Sequence, residues 1–205
     1  MKKNRIDWVD CAKGITLLLV IIGHTVSTDA SNMVRAGIFS FHMTLFFVVS
    51  CVTGKLSNSN DEFVKKTEKG FKHLILPALF IYITVLIYVS SKCISEFRSW
   101  EFVRKFLKES LLTMVFSSGV NLHVLSAEIK GLGIPWFLVV MFLGKTLFDY
   151  MHLKLSERKL IVGCLLLSVT GVAISRLQWL PLSFDIVLTI MPIVLYWIYF
   201  EVSFV

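Results

Sequence analysis

Apolar runs of bilayer-crossing length recur along this chain and constrain its fold more than any other feature. A transmembrane helix needs roughly 20 apolar residues, and soluble domains do not carry several such runs. Over 205 residues the hydrophobic content is 56%, and the mean hydropathy is +0.75. The alternation of a membrane β-barrel is absent, so the spans are helical. The fold class expected is all-α, a polytopic transmembrane helix bundle.

About six spans are expected from these runs: 9–26, 33–53, 73–90, 134–150, 160–174 and 185–205, the last broken by Pro192. Pro77 sits near the start of the third, where a missing N–H costs little. Residues 54–72 read as a polar loop rich in lysine. In the 91–133 segment Trp100, Val103, Phe106, Leu107 and Leu111 recur at helical spacing, with Arg104, Lys105 and Lys108 between them. That pattern predicts an amphipathic interfacial helix. The segment 180–184 reads as a loop.

The net charge of +7 lies mainly in loops beside spans, as membrane topology demands, so a nucleic-acid partner is not expected. Lys and Arg place the N-terminus, the 54–72 loop and the 151–159 turn in the cytoplasm. The 91–133 loop then falls outside despite its own cations, which Glu96, Glu101, Glu109 and Glu128 offset. Lys2, Lys3 and Arg5 before Ile15–Ile22 look like a secretory signal. Asp7, Asp10 and Lys13 interrupt that pattern and no small-residue cleavage site follows, so the run reads as an uncleaved first span. Cys11, Cys51, Cys93 and Cys164 form no C-x-x-C pair and read as packing residues.

The first span carries the chemistry. Lys13 and His24 are eleven residues apart, which returns them to nearly one helix face, roughly 16 Å apart along the axis. Asp10, three residues before Lys13, shares that face. One helix therefore presents a cation near one membrane surface and an imidazole well across the hydrocarbon. The plainer reading makes Lys13 a snorkelling anchor and puts His24 among the headgroups. His42 stands within the second span, and the two histidines flank one short loop, close enough to share a cavity. No Asp, Glu or Cys stands at ligand spacing beside them, so no metal is expected. Neither a Gly-rich phosphate loop nor a G-x-S-x-G elbow occurs.

D-C-A-K-G-I-T-L-L-L-V-I-I-G-H, followed by F-S-F-H-M-T-L-F-F-V-V-S, resembles the opening of the membrane-bound acyltransferase 3 family. Its Lys-Gly-Ile form resembles the fucose 4-O-acetylase-like branch, whose related domains precede bacterial serine racemases. Lys13 to His24 fits the family's Arg-or-Lys, ten residues, His signature. Phe41, His42, Met43, Phe46 and Phe47 fit its second block. L-I-L-P at 74–77, P-W-F-L at 135–138, and L-P-L-S-F-D at 180–185 with Pro192 are weaker matches. Thr44 stands where the family usually has proline, and Ser50-Cys51 where it has Ser-Gly.

The resemblance implies one acyltransferase-3-like membrane domain over 1–205, the N-terminal portion of a longer family fold, in a bacterial plasma membrane. It implies transfer of an acetyl or other acyl group from cytoplasmic acyl-CoA to a hydroxyl of an extracytoplasmic sugar or cell-envelope glycan. His24 is then the general base, with a neutral imidazole suited to the task. His42 either assists His24, contacts the donor, or is a packing histidine. Lys13 binds the donor phosphates, as lysine is a good point-charge partner, and Asp10 either pairs with Lys13 or ends the helix. The competing expectation is a truncated, inactive member, or a non-enzymatic membrane subunit working with a missing or separate C-terminal half.

Overall fold

The computed structural model describes residues 7–25, 33–52, 55–95, 100–119, 121–124, 127–129, 131, 135–177 and 179–201. They cluster into two compact units, Met1–Lys55 with Ile193–Val205, and Leu56–Pro192.

The first unit holds α1 (Asp7–Thr25) and α2 (Met33–Val52). Asp7 and Asp10 in the first turn of α1 and His24 in its last suit the helix dipole. The buried line of α1 is Val9, Thr16 and Gly23. Those three lie seven residues apart, the spacing of a seam between two helices crossing at a shallow angle. Val9 packs with Val49 of α2, flanked by Ala12 and Leu45. Ile15, Leu17, Leu18, Ile21 and Ile22 stay exposed on the other faces, as suits a helix that meets lipid rather than water.

In the second unit α3 (Asn60–Gly70) runs through one π-helical turn, Phe71–Ile75, into α4 (Leu76–Ser95). The 54–72 segment expected as a loop is therefore helical from Asn60, and the reason is local. Ser59 caps α3 by accepting from the Glu62 N–H, and the Glu62 carboxylate reaches back to the Asn58 N–H. This is a variant of the reciprocal capping box. Lys72 pairs with Glu68 one turn away. Pro77 is the second residue of α4, inside this continuous helix. Proline lacks the N–H that would pair with the carbonyl four residues back, and the widened turn at Phe71–Ile75 falls there.

Helix α5 (Trp100–Phe116) follows after four residues and runs back along α4, with the Tyr82 hydroxyl donating to the Ser110 carbonyl. The expected helix is present, but its apolar residues divide between two faces. Val103 is 4% exposed, whereas Trp100 is 70% and Leu111 61% exposed. A small antiparallel ribbon, β1 (Leu122–Val124) and β2 (Ala127–Ile129), pairs His123 with Glu128. Among the described residues it is the sole β structure of an otherwise all-α protein.

Helices α6 (Pro135–Lys154) and α7 (Glu157–Leu177) follow, then a 3-10 turn at Pro181–Ser183, α8 (Phe184–Thr189) and α9 (Met191–Glu201). The expected break of the last span is present, two residues ahead of Pro192 at Ile190, consistent with proline restricting the residues before it. The expected loop at 180–184 is mostly the 3-10 turn. Among the described residues, four helices are long and apolar enough to cross a membrane: Asp7–Thr25, Asn60–Lys92, Pro135–Lys154 and Glu157–Leu177. Phe41–Ser50 of α2 is apolar and shorter.

In the second unit α7 and α8 approach each other closely at Gly171. A Cβ there would stand 2.8 Å from the Asp185 carbonyl oxygen, 2.8 Å from the Thr189 nitrogen and 2.7 Å from Thr189 Oγ1. Two of those atoms are backbone and cannot rotate away. Gly171→Ala is therefore expected to lower stability by about 1–3 kcal/mol through forced separation of the helices. Thermal unfolding of the purified protein in detergent measures it; an unchanged midpoint would show that the two helices have room to part.

Candidate functional site

The site builds up from the seam between α1 and α2. Because Lys13 and Ser50 line the same cavity, the start of α1 lies beside the end of α2, and the two helices are antiparallel. The cavity holds about 250 Å³ and is walled by Lys13, Gly14, Thr16 and Leu17 from α1 and by Phe46, Val49 and Ser50 from α2. It is a largely apolar slot whose lining includes one lysine and two hydroxyl residues, Thr16 and Ser50. Thr16 is completely buried, its Oγ1 donating to the Ala12 carbonyl at 2.6 Å. That bond satisfies a polar group that otherwise carries a desolvation penalty.

Lys13 and Asp10 come together as the spacing predicts, with 3.9 Å between Nζ and Oδ1. Both side chains are about half exposed, so the pair orients the lysine more than it stabilises the helix. The unbroken helix from Asp7 to Thr25 carries His24 to the opposite end of α1, where it is exposed. His42 is 2% exposed, and its Nδ1 stands 2.8 Å from the Ile38 carbonyl oxygen. A carbonyl only accepts, so Nδ1 carries the proton and, in the neutral ring, Nε2 carries the lone pair. The two imidazoles thus occupy different environments. The cavity lies at the Lys13 end, and neither histidine is among its lining residues.

Thr16 and Ser50 are the polar cavity residues for which the sequence predicted no role. Thr16 was detectable in principle, as a hydroxyl one turn from Lys13 within an aliphatic run. Ser50 was not, because its proximity depends on how α2 returns.

The second unit contains a separate buried polar knot. Ser183 Oγ donates to the Ser117 carbonyl at 2.8 Å, and Ser183 and Asp185 are completely buried. Both carboxylate oxygens of Asp185 are buried and make no hydrogen bond of normal geometry. Ser117, Leu182 and Ser183 are left-handed, with φ of 47°, 59° and 48°, each costing about 1 kcal/mol or more for a residue with a Cβ. Asp185, on the sequence a residue near the edge of the last span, is thus buried beside an irregular turn. No group of three His, Cys, Asp or Glu side chains suited to a metal occurs among the described residues.

Long apolar helices with one ionisable seam define a class, an integral membrane protein with polar residues held at a helix–helix contact. Residues 6–201 match the model of the acyltransferase 3 family, described as an acyltransferase domain, and the chain belongs to that family. It is a membrane acyltransferase by family. No curated protein and no solved structure matches it.

Proposed function

We propose that this protein transfers an acetyl or related acyl group from cytoplasmic acyl-CoA to a hydroxyl of an extracytoplasmic sugar or cell-envelope glycan, in a bacterial plasma membrane with the N-terminus inside. The observation that carries the reading is Lys13 in the wall of the α1–α2 cavity, with His24 on the same continuous helix. Eleven residues of helix separate them by roughly 16 Å, a distance suited to an extended thioester arm between a phosphate anchor and a reacting carbonyl. Lys13 holds the donor's phosphates as a point charge, and Asp10 keeps the ammonium near the cavity mouth. His24 takes the proton of the acceptor hydroxyl as its oxygen attacks the thioester carbonyl. The C–S bond then breaks, and the departing CoA thiolate recovers that proton from the imidazolium. His42, with its tautomer fixed by Ile38, assists as a positioning residue. The mechanism requires no metal.

The test is acyl-CoA binding and turnover by the purified chain in lipid nanodiscs, against Lys13→Ala and His24→Ala. Loss of binding with the first and loss of transfer with the second support the reading. A folded protein that does not bind acyl-CoA overturns it.

The exposure of His24 favours a second reading. Here the chain is a non-enzymatic family member that retains the donor cavity. It predicts acyl-CoA binding without turnover under the same conditions.

A further inference from the structure

Helix α5 has an inner and an outer face. Val103 and Thr113 are buried on the inner face, and Phe106 and Ser110 are half-buried there. The outer face carries Trp100, Arg104, Leu107, Lys108, Leu111 and Val115, all exposed. Along that face the cations stand toward the start of the helix, and the outermost apolar residues stand toward its end. Trp100, Arg104, Leu107 and Lys108 occupy the first half, and Leu111 and Val115 the second. A helix lying flat at an interface separates polar from apolar residues around its axis. Here the exposed residues also grade along the axis, from cations to Leu111 and Val115, over about 22 Å from Trp100 to Val115. That is the pattern of a helix that starts at headgroup level and descends into hydrocarbon, with an aromatic residue at the boundary. The fold agrees. Tyr82 meets Ser110, and Val89 and Phe106 line one cavity, so the basic start of α5 lies toward the end of α4 remote from Lys72.

A shallow, open groove of about 800 Å³ lies along this outer face, bordered by residues of α5 alone, among them Glu101, Arg104, Lys108, Leu111 and Val115. Arg104 and Lys108 are one helical turn apart, so both reach a single phosphate between them. Lys105, also on the groove, pairs with Glu109 at 3.9 Å. Glu101 is the one carboxylate on the groove wall against three cations, so the basic end attracts an anion. We infer that this groove binds one anionic glycerophospholipid, its phosphate held by Arg104 and Lys108 and an acyl chain laid along Leu107, Leu111 and Val115. Charge and apolar length both fit that occupant, because a single ligand must satisfy cations at one end and hydrocarbon at the other. The inference is independent of acyl transfer.

Native mass spectrometry of the full chain in detergent, titrated with phosphatidylglycerol and with phosphatidylcholine, tests it. Phosphatidylglycerol is expected to be retained at least about tenfold better, with each removed cation costing about fivefold. Arg104→Gln with Lys108→Gln should bring the preference below about threefold. Both side chains are exposed, so the helix content and unfolding midpoint of this variant should match the parent. Should its midpoint fall, Lys108→Gln alone, with an expected loss of about fivefold, decides the matter. Leu111→Ser with Val115→Ser should weaken both lipids alike. Equal retention of the two lipids, or a preference that survives loss of both cations, overturns the inference. So does displacement of the lipid by millimolar inorganic phosphate, which would mean a headgroup site alone. A dimer abolished by Leu111→Ser would mean that a second copy covers the groove, and also overturns it.

Discussion

His24→Ala is expected to lower acyl transfer by about 10²–10⁴-fold, the usual contribution of a positioned general base, while acyl-CoA binding stays within about threefold of the parent. Lys13→Ala should show the opposite division. Losing a charged partner of a phosphate weakens donor binding by about 10–100-fold, with turnover at saturating donor much less affected. The separation follows from geometry. Lys13 lines the α1–α2 cavity and His24 stands at the other end of the same helix. The measurement is donor affinity and single-turnover transfer for each variant in nanodiscs, with imidazole added to His24→Ala as a chemical rescue. Equal losses of binding and transfer in both variants would mean that the substitutions perturb α1 as a whole. Neither side chain belongs to the buried line of Val9, Thr16 and Gly23, so the helix seam should survive both.

The second large effect concerns stability. Asp149→Ala is expected to cost about 3 kcal/mol, because one carboxylate ties three groups together. Its Oδ1 accepts from the Ser57 N–H at 2.8 Å and its Oδ2 from the Ser57 hydroxyl at 2.6 Å, with Lys66 Nζ 3.9 Å from Oδ2. Ser57 is completely buried and Asp149 nearly so. Removing the carboxylate leaves a buried N–H and a buried hydroxyl without their acceptors. It also releases the segment that leads into α3 from its hold on α6. Ser57→Ala removes one of these bonds and should cost about 1–2 kcal/mol. Lys66→Gln, at a partly exposed and longer contact, should cost less than about 1 kcal/mol. Thermal unfolding of the three variants in one detergent gives the order. A harmless Asp149→Ala would show that Ser57 finds other partners once the carboxylate is gone.

Hydrophobic patterning by itself determined the membrane class, the all-α fold and most span positions, because the bilayer imposes one length and one hydrogen-bonding rule on every crossing segment. Helical spacing also determined that Lys13, Asp10 and His24 share one face of α1, since that face is a property of a single helix. The family resemblance was legible in two short blocks for the same reason, as residues of one segment keep their spacing in any packing. The lysine-rich 54–72 segment misled because its helix depends on a cap and charge pairs rather than on apolar periodicity. Only the tertiary structure decided which side chains meet across helices. It brought Ser50 to Lys13 and buried His42 while leaving His24 exposed. It joined Ser57 to Asp149 across 92 residues and folded Ser117 and Ser183 into one buried knot. Such meetings depend on how each helix returns, and the loops and packing that set the return carry no periodic signal.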